Sequence, residues 1–90
     1  MTTDELVKAV CDGLQTLDGD AFSAQYGKYV RLIRLEPVAD VTFATFSVAL
    51  NDETRDVRYV TLVSDSNTGK DIDAYEVRPE TVLRTIYRRV

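Results

Sequence analysis

The chain has 90 residues, 44% of them hydrophobic and 29% charged, the balance of a globular protein rather than of a charge-rich disordered chain. Fifteen acidic and eleven basic residues give a net charge of −4, which argues against general electrostatic binding to DNA or RNA, since that draws its affinity from phosphates neutralised by Lys and Arg. There is no histidine and one cysteine, Cys11; this excludes imidazole bases and an internal disulfide, and it leaves no ligand set for a transition metal.

A chain of this length is expected to form a single domain, residues 1-90, around one core. So small a domain buries only about 60% of its unfolded surface, so association would add to its stability. The start, MTTDELVKAV, lacks the basic and apolar regions of a secretory signal, and the apolar runs are interrupted well short of a bilayer span. With one thiol, these features point to a reducing, cytoplasmic location.

The first element is a helix. Thr2 and Glu5 have the spacing of a capping box, and Asp4 with Glu5 places negative charge where the helix dipole favours it. Steps of about 100° gather Leu6, Val7, Val10, Cys11, Leu14 and Leu17 on one stripe and set Asp4, Glu5, Lys8, Asp12 and Gln15 opposite. Gly13 sits at the stripe's edge, where a missing side chain lets another element approach. The helix is expected to close before Asp18-Gly19-Asp20. A further turn over AFSAQY would then be capped by Asp20 and ended by a left-handed Gly27.

Four strands follow. KYVRLIRL, residues 28 to 35, is rich in β-branched and aromatic residues and should stop at Glu36-Pro37. In VTFATFSVAL, 41 to 50, Val41 and Phe43 share one face and Phe46, Val48 and Leu50 the other. That change of phase suggests a bulge or bend. A polar connection at 51 to 56 leads to VRYVTLVS, 57 to 64, and the turn DSNTGKD leads to DIDAYEVR, 71 to 78, with Tyr75 and Val77 on one side. Pro79 suits a first helical position, and Val82, Leu83, Ile86 and Val90 form the apolar stripe of a short C-terminal helix.

The expected fold class is α+β: an N-terminal amphipathic helix, a four-stranded antiparallel meander and a short C-terminal helix. The alternative is a small, bent SH3-like or Sm-like barrel with flanking helices, kept open by the phase change in the second strand.

Residues 65 to 76 imitate a calcium loop, with oxygen donors at positions 1, 3 and 9 and Glu76 at 12. However, Gly69 occupies position 5, where an oxygen ligand belongs, and Lys70 occupies position 6, where the turn needs glycine. A hairpin turn accounts for the segment, with Asn67 and Gly69 supplying the permissive backbone angles, and no metal or other cofactor is expected. Asp18-Gly19-Asp20 is likewise read as a capping turn. Cys11, at the rim of an apolar stripe and with no base beside it, is read as a small hydrophobe.

The candidate partner-binding residues are Arg84, Tyr87, Arg88 and Arg89 on the C-terminal helix, joined by Arg31 and Arg34 from the first strand. Arg84 and Arg88 are four residues apart and share a helix face, where their repulsion would be relieved by an anionic partner. The acidic counterpart is the face carrying Asp4, Glu5 and Asp12. No catalytic residues are assigned. The expected function is therefore a non-enzymatic protein-protein interaction module, an adaptor, an inhibitor or a subunit of a larger assembly such as a virion or macromolecular machine. It would dock through charged surface poles on another protein or on its own copies as a homo-oligomer, with no membrane partner. The alternative is a nucleic-acid-binding protein that uses the Arg-bearing helix and stacking from Tyr29, Tyr59 or Tyr75.

Overall fold

The computed structural model describes residues 1 to 51 and 55 to 79. Their order is α1 (Thr3–Thr16), α2 (Gly19–Tyr26), β1 (Val30–Val38), β2 (Val41–Val48), β3 (Arg58–Asp65) and β4 (Asp71–Val77). The four strands form one antiparallel sheet in the order β1-β2-β3-β4. The fold is α+β, and because β1 and β4 are the two edges, the sheet is open rather than closed into a barrel. Among the described residues no helix is long and apolar enough to cross a membrane. The expected C-terminal helix lies outside the described residues.

The start of α1 follows from its capping box. The Thr2 backbone N–H donates to Glu5 Oε1 at 2.8 Å and the Glu5 N–H donates to Thr2 Oγ1 at 3.2 Å, satisfying two amides that lack helical partners. Leu6, Val7, Val10 and Leu14 from the expected stripe are buried against Val48, Val60 and Ala74, with Phe46 and Leu62 packed alongside. Each fully buried aliphatic chain contributes roughly 1.5 to 3 kcal/mol, so this one helix face accounts for much of the driving force.

Glycine at position 13 lets α2 return across α1. A Cβ there would lie 2.9 Å from Tyr26 Cε2 and 3.3 Å from Phe22 Cδ2. The cap of α2 is Asp18, whose Oδ1 accepts from the Ala21 N–H at 2.8 Å, and not Asp20. Gly27 is right-handed, with φ −54°, and is not the left-handed terminator expected. The cap moved because Asp18 reaches the N–H three residues on, so Gly19 and Asp20 join the helix.

Two strand expectations are also corrected. β1 runs through Glu36-Pro37 to Val38. As an edge strand it tolerates a residue without an N–H, and Pro37 pairs opposite Thr42. The phase change in β2 marks no bulge, because β2 pairs with β3 in unbroken register from Val41 to Val48. Instead, odd residues such as Phe43 and even residues such as Phe46 line opposite faces of a strand half-buried or better on both. The irregularities lie in the neighbouring strands, between Leu32 and Arg34 in β1 and between Val63 and Ser64 in the β3–β4 pairing.

The β1–β2 hairpin closes through Ala39 and Asp40, with Ala39 at φ 53°, and the β3–β4 turn uses Gly69 at φ 74°. Asn67 is not left-handed. Its N–H instead donates to Asp65 Oδ1 at 2.8 Å.

Candidate interaction surface

The two edges of the sheet differ. On β4 the Ala74 carbonyl accepts from Gln15 Nε2 at 3.4 Å, and the Ala74 N–H donates to Asp73 Oδ1 at 2.9 Å. Both backbone groups of this residue are therefore occupied by side chains, and α1 leans over β3 and β4. The start of α1 is tied down as well. Arg58 donates from Nε and Nη2 to the two Glu76 carboxylate oxygens and from Nη1 to Asp4 Oδ1 at 2.6 Å. These bonds hold the Glu76 and Asp4 carboxyls below the usual carboxylate range. Glu5 is also held low, by the hydrogen bonds of the capping box.

β1, at the opposite edge, carries no such cover among the described residues. Its outer side is unpaired in the strand order. Leu32 is 55% exposed, Ile33 39%, Leu35 59% and Val38 47%, four large apolar side chains in seven residues. The register explains their placement. Leu32 lies opposite Phe46 and Leu35 opposite Ala44, so both leucines point to the helix-bearing side, beyond the reach of α1. Ile33 is the extra residue at the bulge. Surface leucines are ordinary singly, but such a run on an unpaired strand edge is the arrangement that other chains pair with.

The other face of β1 presents Arg31, Arg34, Glu36 and Val38. Arg34 is only 16% exposed in its side chain and lies 3.5 Å, Nε to Oε1, from Glu36. Its Nε and Nη1 are buried and make no hydrogen bond, so the contact with Glu36 is one of charge without hydrogen-bond alignment. Arg34 and Glu36 line a shallow depression of about 260 Å³ with Phe43, Thr45, Thr61 and Tyr75. Thr45 and Thr61 are buried there, with their hydroxyls 3.2 Å apart.

Of the residues singled out from sequence, Arg31 is exposed on β1 and Arg34 half-buried beside it. Arg84, Tyr87, Arg88 and Arg89 lie outside the described residues. The acidic face of α1 is partly engaged, since Asp4 holds Arg58 and Glu5 holds the helix start. Cys11 is partly buried, and burial, reinforced by Glu76 and Asp73, raises its thiol pKa. No group of three or more acidic or thiol side chains placed to hold a metal ion occurs among the described residues.

The sequence reading took only Arg31 and Arg34 from β1 and did not single out its exposed apolar residues. Their signal was the doublet Leu32-Ile33 between two arginines, which breaks strict alternation and marks the bulge. Comparison with protein-family models, with curated proteins and with solved structures finds no match to this chain.

Proposed function

We propose that this chain is a non-enzymatic protein-protein interaction module, an adaptor, inhibitor or assembly subunit, that docks through the outer edge of β1. One observation carries the reading: Leu32, Ile33, Leu35 and Val38 stay exposed on a strand whose outer backbone side has no partner strand among the described residues. A docked strand would satisfy those backbone groups and cover the leucines together, combining hydrogen bonding with apolar burial. The nearby charges Arg31, Arg34 and Glu36 would select among partners by sign rather than supply the affinity.

The test is a photoreactive side chain introduced at Ile33 and, in a second sample, at the exposed Asp20 on α2. Defined protein adducts should form in the native extract from position 33 and not from 20, and Leu35→Lys should suppress them. Equal labelling from both positions, unaffected by Leu35→Lys, would remove β1 as the docking edge.

A further inference from the structure

We infer that residues 80 to 90 cover the face of the sheet turned away from α1, as a helix that opens at Pro79 and lays Val82, Leu83 and Ile86 over Thr45 and Thr61. The inference is independent of the β1 edge. On that face a single row of paired residues, Arg34, Thr45, Thr61 and Tyr75, crosses all four strands. α1 lies on the other face, over Val48, Val60 and Ala74. Among the described residues no helix covers the Thr45 side, yet Thr45 is only 1% exposed and Thr61 5%. A bare sheet face would leave such short polar side chains open to water.

The side chains flanking the row do not close over it. Tyr75, beside Thr61, is 40% exposed, and Val38 is 47% exposed. The cover is apolar in character. The Thr45 and Thr61 hydroxyls, 3.2 Å apart, satisfy each other and ask for no outside partner. Arg34 Nε and Nη1 are shut off from water without any acceptor. A polar cover would have supplied one, whereas an aliphatic cover excludes water and offers none.

The chain itself supplies such a cover. Val77 lines this face, and Pro79, two residues on, has already turned from strand into helix. The opposite face is taken at this end of β4, because Arg58 joins Glu76 to Asp4 there and holds the start of α1. As a helix, residues 80 to 90 rise about 16 Å, enough to cross the roughly 14 Å of three strand spacings from β4 to β1. Steps of about 100° turn Val82, Leu83, Ile86 and Val90 toward the sheet and set Arg84 and Arg88 on the opposite side. Docking of the segment therefore holds that basic pair outward, with Tyr87 and Arg89 at the rims.

The experiment is methyl NMR of the full chain at low concentration. Nuclear Overhauser contacts should join the Leu83 and Ile86 methyls to those of Thr45 and Thr61. A mixture of isotope-labelled and unlabelled chains should show no such contact between molecules. Ile86→Lys should remove the contacts and shift the Thr45 and Thr61 methyl resonances, and Arg88→Glu should leave both unchanged. Contacts found only between molecules would overturn the inference and make a second copy the cover. A wild-type spectrum with no contact from residues 82 to 86 to this face would overturn it whether or not the variants fold. Loss of the contacts in Arg88→Glu, with the chain still folded by circular dichroism, would overturn the outward placement of the basic pair.

Discussion

Arg58 and Glu76 are joined side by side across β3 and β4 by two hydrogen bonds, from Nε and Nη2 to the two carboxylate oxygens. Through its Nη1 the same guanidinium holds Asp4 at the start of α1, so one side chain links the helix to two strands. Both carboxyls are held below their ordinary pKa. A depressed carboxylate contributes stability that is present above its unfolded value, near pH 4, and lost as pH falls through the lower folded value. Arg58→Met should therefore lower the melting temperature by a few degrees at neutral pH. Thermal melts across an acid series should show that gap narrowing below about pH 4. A gap independent of pH would mean that Arg58 acts through the packing of its stem instead.

Gly13 and Tyr26 make the second prediction. Gly13→Ala gains about 1 kcal/mol of helix propensity but brings a methyl within 2.9 Å of the Tyr26 ring. Overpacking costs about 1 to 3 kcal/mol, so the net change should be destabilising by about 1 kcal/mol. In a Tyr26→Ala background the same substitution should become stabilising. Chemical denaturation of the four proteins of this cycle measures the reversal, and the same sign in both backgrounds would contradict the close approach.

Ala39 stands at φ 53° in a two-residue connection closed by Val38 and Val41, a conformation that suits glycine better. Ala39→Gly should stabilise the chain by about 0.5 kcal/mol, the relief of left-handed strain exceeding the added freedom of the unfolded chain. Ala39→Val, branched at Cβ, should destabilise it by about 1 kcal/mol or more. Denaturant midpoints for the two variants should move in opposite directions.

Much of this fold could be read before any coordinates. The capping box at Thr2 and Glu5, the stripe from Leu6 to Leu14, the close approach at Gly13 and the pairing of Tyr75 with Val77 on one face all rest on local spacing. The errors arose where tertiary context decides. β1 continues through Pro37 because it is an edge, and edge position is a property of the sheet, not of the peptide. The two apolar faces of β2 resembled a slipped register because alternation alone does not distinguish a bulged strand from one buried on both sides. The exposed apolar edge was hidden for the same reason: Leu32 and Leu35 have core composition, and among the described residues α1 reaches over β3 and β4 and leaves them outside. Arg31 and Arg34 were picked out for their charge, and their place beside that apolar edge came from the register.

The most direct measurement is amide hydrogen exchange of the isotope-labelled chain, alone and in native extract, comparing β1 with β4. Backbone N–H groups on the outer side of β1 should exchange rapidly in the isolated chain and gain protection in the extract, while those of Ile72 to Glu76 stay unchanged. Identical β1 exchange rates in both conditions, or protection acquired at β4 instead, would contradict the account.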